Sequence, residues 1–187
     1  MPKQLFVLSA PSGGGKTTVA RHLLATFPNL RFSVSATTRM QRPGEIHGKD
    51  YFFLSKDEFS IRINQGDLLE YEVIFGNYYG TLRSEVRRIL ESGESMIFDV
   101  DVKGALSLRR AFPDESLLMF IAPPSMDALE KRLRSRQTES AEQIALRLER
   151  AAMEMQSVDF FDEVIINDIL TQTLDRAEEV VRMHIDT

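Results

Sequence analysis

The chain contains no cysteine, so it can form no disulfide, thiolate nucleophile or cysteine metal site, which fits a reducing compartment. Its three histidines are scattered, leaving no histidine cluster spaced for a metal. No apolar stretch approaches the roughly 18 residues of a membrane span. The opening run Leu5-Phe6-Val7-Leu8 is shorter than a signal-peptide core, and no small-residue cleavage region follows it. Positive charge is not in excess either: 23 basic against 28 acidic residues leave -5, and such a surface repels a nucleic-acid backbone. The expectations are a cytoplasmic location, no membrane and no polynucleotide partner. Monomer and homo-oligomer are both compatible with the sequence.

What is present is ordinary globular material: 187 residues, 43% hydrophobic and 27% charged, enough for one domain with excursions. Leu5 to Ser9 is an apolar run followed by glycines, then by Val19, Leu23, Leu24 and Phe27 at helical spacing. That reads as strand, tight loop, helix. Met96-Ile97-Phe98, Leu117 to Ala122 and Val164-Ile165-Ile166 read as buried parallel strands. Amphipathic stretches carrying Met126, Leu129, Leu133 and then Ile144, Leu148, Ala151, Met155 lie between them. The alternation predicts an α/β fold with a mainly parallel sheet flanked by helices. Residues 35–82 break the pattern with aromatic-rich pieces and five glycines, from Gly44 to Gly80; they read as a small β-rich inserted lobe. A polar excursion from Arg132 reads as a lid over about 132–147, leaving a core of 1–34, 83–131 and 148–187 in a single domain.

Ala10-Pro11-Ser12-Gly13-Gly14-Gly15-Lys16-Thr17 matches the phosphate-loop pattern G-x-x-x-x-G-K-[ST], with alanine in the first position. Glycines let the backbone curl so that successive N–H groups face phosphates, and the helix N-terminus adds positive potential. Lys16 would bridge the β- and γ-phosphates of ATP, and the Thr17 hydroxyl would ligate Mg²⁺; Thr18 completes the ATP-binding run. Alanine fits the first position if the backbone there is not left-handed.

The pattern after this loop resembles the guanylate kinase family. The resemblance runs through Ser33-Val34-Ser35-Ala36-Thr37-Thr38-Arg39-Met40-Gln41-Arg42-Pro43-Gly44-Glu45, Gly48-Lys49-Asp50-Tyr51-Phe52-Phe53, Glu70-Tyr71 and Gly76-Asn77-Tyr78-Tyr79-Gly80-Thr81. It continues through Asp99-Val100-Asp101 and Val164-Ile165-Ile166-Asn167-Asp168, in order along nearly the whole chain. It implies transfer of the γ-phosphoryl group of Mg-ATP to GMP, with dGMP as a second acceptor, in purine metabolism and GMP recycling. Arg39 and Arg42, which alone would read as a solvated surface pair, would hold the GMP phosphate with the hydroxyls of Tyr51 and Tyr79. Glu70 would accept the N1–H and 2-amino donors of guanine, with Ser35 and Thr81 on the O6 side. Adenine presents an acceptor at N1 and no 2-amino group, so it would leave that carboxylate unpaired.

By resemblance Asp99 and Asp101 would lie between the substrates, with Mg²⁺ through water, an arginine and the nucleoside all open as the partner of each. Arg132 and Arg136 share one helical face and Arg147 follows on the next helix. As charge-rich helix faces they read as solvated ion-pair surfaces; by resemblance they close over the phosphates and neutralise the transferring group. Asn167 would contact the adenine of ATP, or close an Asn-Asp turn. The catalytic set so implied is Lys16, Arg39, Asp99, Arg136 and Arg147. Lys103 and Gln137 depart from the family pattern, which often has glutamine and glycine there. Another nucleoside monophosphate kinase lacks the Glu70, Ser35 and Thr81 logic; a non-catalytic binding module would have a damaged phosphate loop; a regulatory GTPase would carry an N-K-x-D run, which is absent.

Overall fold

In the computed structural model, the residues described are 4–74, 76–135 and 140–185. The first strand, β1 (Leu5–Ser9), leads through the glycine loop into α1 (Lys16–Thr26) and then β2 (Leu30–Phe32). A second group follows: β3 (Ala36–Thr37), β4 (Phe52–Phe53), α2 (Lys56–Gln65), β5 (Leu68–Ile74) and β6 (Asn77–Leu82). The chain then returns through α3 (Arg83–Ser92), β7 (Ser95–Asp99), α4 (Val102–Ala111), β8 (Ser116–Ala122), α5 (Met126–Ser135), α6 (Ala141–Met155), β9 (Glu163–Ile166) and α7 (Leu170–His184). Among the described residues no helix is long and apolar enough to cross a membrane.

The main sheet has the order β2-β7-β1-β8-β9, and all four of its pairings are parallel. Every residue of β1 and of β8 is buried, as expected where helices cover both faces of a parallel sheet. Alternation along the strands divides the core in two. Phe6, Leu8, Met119 and Ile121 pack with Val19, Leu23 and Val180 under α1 and α7. Leu5, Val7, Phe98, Leu118 and Phe120 pack with Val86, Ile89, Ala105 and Leu108 under α3 and α4. The chain leaves β1 on one side, toward β2, and leaves the adjacent β7 on the other, toward β8. Ligands bind where neighbouring parallel strands diverge in this way, outside their carboxyl ends.

The second sheet, β4-β3-β6-β5, lies within the segment expected as a β-rich lobe, with β3–β4 parallel and the other pairs antiparallel. It also carries the ten-residue helix α2. Local capping explains that helix: Ser55 and Glu58 form a reciprocal capping box, and Gly66 ends it in a left-handed conformation at φ 70°. The lobe has its own small core of Ala36, Phe59, Leu68 and Leu82, while Leu69 packs into the core beneath α4. Leu68 and Leu69 face two different cores because successive residues of a strand point to opposite faces; the β5–β6 register shifts between Leu68 and Glu70. Gly80 crosses this sheet where a Cβ would come 2.7 Å from the Glu70 carbonyl oxygen, so only glycine fits.

The segment expected as a lid runs from the last turn of α5 into α6; Arg136 and Gln137 lie outside the described residues. Leu129, Leu133, Ile144 and Ala151 join α5 to α6. A Cβ on Gly13 would come 2.9 Å from Leu133 Cδ2 and 3.2 Å from Leu129 Cδ1, so the glycine loop rests directly on α5.

Because Phe59 is fully buried in the lobe's small core, Phe59→Ala should cost about 3–5 kcal/mol locally. Hydrogen exchange should accelerate across 36–82 while β1, β7 and β8 keep their protection. Uniform loss of protection in both sheets would show that the lobe has no separate core.

Candidate active site

The glycine loop follows β1 and ends at the N-terminus of α1, with Gly13 at φ 89° and Gly15 at φ 96°. Only glycine takes such angles readily. Ala10 is buried, and a Cβ on Gly14 would come 2.9 Å from its methyl. The alanine that departs from the phosphate-loop pattern is therefore accommodated by the glycine opposite it. A cavity of about 360 Å³ opens over the loop, lined by Ala10 through Thr18 and by Asp99. Arg147 reaches in from α6, its Nη1 donating to Ser12 Oγ at 3.1 Å. Arg132, on α5, donates to the Asn167 carbonyl oxygen at 2.7 Å.

Asp99 stands at the end of β7, in register with Leu8 of β1. Its Oδ1 lies 2.8 Å from Lys16 Nζ, and its Oδ2 accepts from Thr17 Oγ1 at 3.1 Å. Lys16 Nζ also donates to the Val100 carbonyl at 2.8 Å. A hydroxyl and a carboxylate side by side form a hard, oxygen-only donor pair, which suits Mg²⁺ sharing its remaining positions with phosphate and water. Among the described residues no group of three or more His, Asp or Glu side chains could hold a metal by itself.

A second cavity, about 330 Å³, adjoins the first and shares Lys16 and Asp99 with it. Ser35, Tyr51, Glu70, Glu72, Tyr79 and Asp101 also line it. Beside it, Arg39 is held in a fork by Glu45, Nη2 to Oε1 at 2.7 Å and Nη1 to Oε2 at 3.1 Å. Its guanidinium carbon sits 5.3 Å from the Tyr51 ring centre and 5.7 Å from that of Phe53, a cation–π arrangement that fixes its plane. Glu45 also accepts the Arg42 backbone N–H at 2.7 Å. These bonds, led by Arg39, hold the Glu45 carboxyl below its ordinary range. The Arg42 side chain is exposed. Glu45 received no role from the sequence; a carboxylate six positions from an arginine in a glycine-bearing turn was the available signal.

Glu70, on β5, is mostly buried, and Thr81 Oγ1 donates to its Oε1 at 2.6 Å. A hydroxyl has one proton, so Thr81 here orients the carboxylate, and Ser35 is the hydroxyl left for a ligand. Burial is the first cause that pushes the Glu70 carboxyl above its ordinary range; the Asp101 and Glu72 charges add to it, and the Thr81 hydrogen bond opposes it. Asp101 caps α4, its Oδ1 accepting from the Gly104 N–H at 2.8 Å. Its Oδ2 lies 3.5 Å from Arg150 Nη2. Arg150, which the sequence did not single out, also reaches Glu72 at 3.7 Å and Glu154 at 2.9 Å, joining α6 to β5 and to the start of α4.

Asn167 follows β9 and is buried. Its Nδ2 donates to the Gly14 carbonyl at 2.7 Å, and its Oδ1 lies 3.2 Å from Thr173 Oγ1. The structure thus gathers Lys16, Thr17, Asp99, Arg132, Arg147 and Asn167 around the loop, and Ser35, Tyr51, Glu70, Tyr79 and Asp101 around the adjoining cavity. Arg136 lies outside the described residues.

Comparison with known proteins gives a single theme. The sequence profile of the family described as guanylate kinase matches residues 2–184. The chain is similar to the guanylate kinase of Chlorobium luteolum, 52% identical over 92% of this chain and 87% of that protein. It is 50% identical to that of Chlorobium chlorochromatii over 95% of this chain and 94% of the other. The crystal structure of guanylate kinase from Anaplasma phagocytophilum superposes with a TM-score of 0.73 at 33% identity, covering 100% of this chain and 88% of that one.

The raised pKa of Glu70 has a thermodynamic sign. A carboxyl titrating higher when folded than unfolded contributes stability below its unfolded pKa, which is lost as pH rises through the folded value. Ionised Glu70 therefore costs stability at neutral pH. Glu70→Gln should raise the Tm of the ligand-free protein at pH 7, with the gain disappearing in acid below the ordinary carboxylate value of about 4.3. A Tm change independent of pH, or a loss at pH 7, would contradict this assignment.

Proposed function

This chain belongs to the guanylate kinase family; it is an ATP:GMP phosphotransferase, and we propose that its two adjoining cavities hold the two substrates. The observation that carries this reading is that Lys16 and Asp99 line both cavities. Phosphates entering from either side meet at these two residues.

ATP occupies the glycine loop lined by Ala10 through Thr18, its phosphates taking backbone N–H donors of the loop and the charge of Lys16. To reach them, Lys16 exchanges its contacts with Asp99 and Val100 for phosphate oxygens. Thr17 would hold Mg²⁺, with the Asp99 carboxylate beside it. The ion, bound with ATP, supplies charge neutralisation on the phosphate oxygens. GMP lies under the small sheet. Arg39, forked by Glu45, turns its remaining donors to the GMP phosphate together with Arg42, Tyr51 and Tyr79. Glu70 accepts the N1–H and 2-amino protons of guanine, Ser35 donates to O6, and Asp101 borders the nucleoside. Thr81 contributes by holding Glu70 in place.

A GMP phosphate oxygen then attacks the γ-phosphorus while the bond to the β-phosphate oxygen breaks, giving GDP and ADP. The attacking oxygen is already anionic, so no base is required; alignment and charge compensation carry the step. Arg132, Arg136 and Arg147 provide that compensation from the lid side, and closure of lid and lobe excludes water. The chain works as one domain with core 1–34, 83–131 and 148–187, GMP-binding lobe about 35–82 and lid about 132–147. It acts on GMP and dGMP in the cytoplasm, with these small molecules as its partners.

The test is ADP formation from Mg-ATP with GMP, dGMP, AMP, CMP, UMP or dTMP as acceptor. ADP should form with GMP and dGMP alone. Lys16→Ala should lower kcat by roughly 10²–10³, as loss of a preorganised charge-stabilising donor does. Fast turnover of AMP would overturn the Glu70 recognition step, and near-normal turnover by Lys16→Ala would overturn the role of the loop.

A further inference from the structure

We propose that Arg150 is a positioning residue for guanine selection: it holds Glu72 and Asp101, the carboxylates that neighbour Glu70 in the cavity, and so leaves Glu70 the charged acceptor that GMP meets. The proposal rests on Glu70 reading guanine. Four carboxylates line the cavity assigned to GMP, those of Glu70, Glu72, Asp99 and Asp101, and Lys16 is the cation among its lining residues. Asp99 has Lys16 at 2.8 Å. Asp101 accepts the Gly104 N–H on Oδ1 at 2.8 Å, and its Oδ2 faces Arg150 Nη2 at 3.5 Å. Glu72 Oε1 faces the same Nη2 at 3.7 Å.

Arg150 lines the neighbouring cavity, about 410 Å³, which Glu72 and Asp101 also border. The two carboxylates therefore stand between the GMP cavity and the guanidinium, and Arg150 offsets their charge without taking the place of a ligand. Glu154, one turn further along α6, accepts Arg150 Nε at 2.9 Å, and its side chain is only 13% exposed. That bond anchors the guanidinium within α6 and aims its Nη2 edge at β5 and the start of α4. Separations of 3.5 and 3.7 Å are longer than hydrogen bonds, so the interaction is one of charge, which falls off slowly with distance. Arginine stays charged at every working pH.

The group this protects is Glu70. Burial is the first cause that raises its carboxyl above the ordinary range, and the charges of Asp101 and Glu72 push the same way against the Thr81 hydrogen bond. The titratable and charged groups around it are Tyr71 and Glu72 on its own strand, Asp101 and Lys103 from α4, Tyr79 from β6, Tyr51, Lys16 from α1 and Asp99 from β7. Lys16 is committed to Asp99 and Lys103 is exposed, so Arg150 is the cation placed to oppose Asp101 and Glu72. Without it, Glu70 gains its proton at a higher pH. A protonated carboxyl presents one donor and one acceptor to a base edge, and so accepts only one of the two guanine donors.

The test is kcat/KM for GMP and for IMP, which lacks the 2-amino group, with saturating Mg-ATP from about pH 5 to about pH 8. It compares the full chain with Arg150→Gln, Arg150→Lys, Glu72→Gln and the Glu72→Gln/Arg150→Gln pair, each against the parent at the same pH so that titration of the nucleotide phosphate cancels. Arg150→Gln should lower kcat/KM for GMP about threefold at the acid end, through KM, with the loss fading toward pH 8 and the KM for Mg-ATP unchanged. IMP should lose less, so the preference for GMP narrows there. Glu72→Gln should improve GMP use in acid, the pair should return toward the parent, and Arg150→Lys, which restores the charge, should match the parent. A loss equal at every pH, an equal loss for Mg-ATP, or unchanged profiles would reduce Arg150 to packing of α6 or to no role and overturn the proposal. If Arg150→Gln folds poorly, Glu72→Gln decides, and no gain in acid overturns it. A preference for GMP over IMP that survives Glu70→Gln would instead overturn the reading of Glu70 as the guanine acceptor, and the proposal with it.

Discussion

The structure depends on one parallel pairing, β1 with β7, because it brings Asp99 level with Leu8 and so within reach of the first turn of α1. Lys16 and Thr17 both touch that carboxylate. β1 and β7 send their connections to opposite sides of the sheet, opening the crevice into which the glycine loop curls. The small sheet is held over the same crevice by Leu69, which packs into the main core. If the β1–β7 register slipped by one residue, Asp99 would face the other side of the sheet, and the two cavities would lose the side chains they share.

A common arrangement runs through the site: most of the cations suited to phosphates have a protein partner. Lys16 is held by Asp99, Arg39 by Glu45, Arg147 contacts Ser12 and Arg132 contacts a carbonyl. Unpaired cations crowded into one crevice would repel each other and disfavour the fold. Temporary partners remove that repulsion, and a phosphate can take their place at Lys16. Arg39 differs, because Glu45 occupies Nη1 and Nη2 in a fork and so fixes the plane in which its remaining donors point. A forked guanidinium bound to carboxylate on one edge can still meet phosphate on another.

The parts legible in the sequence are those written in consecutive residues. The buried strands appear as apolar runs, and the glycine loop declares itself by Gly13-Gly14-Gly15-Lys16-Thr17 between a strand and a helix. The fold class follows from these alone. The helix α2 was also signalled, by Ser55, Glu58 and Gly66, but the aromatic residues around it gave a β-rich impression that its short apolar pattern did not counter. Contacts between distant positions leave no such trace. Thr81 lies 11 residues from Glu70 and Asn167 lies 153 from Gly14, and Arg150 meets Glu72 and Asp101 only through tertiary packing. Many of the residues lining the two cavities were therefore readable, while what each one contacts there was not.

The guanine-reading role proposed for Glu70 falls on a destabilised group of the fold. Recognising guanine by two donors on one edge requires a carboxylate that is ionised, accessible and short of donors. The Glu70 carboxylate has Thr81 as a hydrogen-bond donor, lies largely out of water and feels the charges of Asp101 and Glu72. Burial and the two neighbouring charges raise the free energy of the ionised carboxylate while the Thr81 bond lowers it, and in the binding mode proposed above a ligand presenting N1–H and a 2-amino group supplies further donors. A ligand with an acceptor at N1 gives no relief and adds repulsion, so the discrimination is stored before the ligand arrives. Arg150 sits 3.5 Å from Asp101 and 3.7 Å from Glu72, moderating the charge around Glu70 without contacting it. An arginine directly on Glu70 would stabilise the ionised carboxylate but occupy the oxygens proposed to accept the two guanine donors.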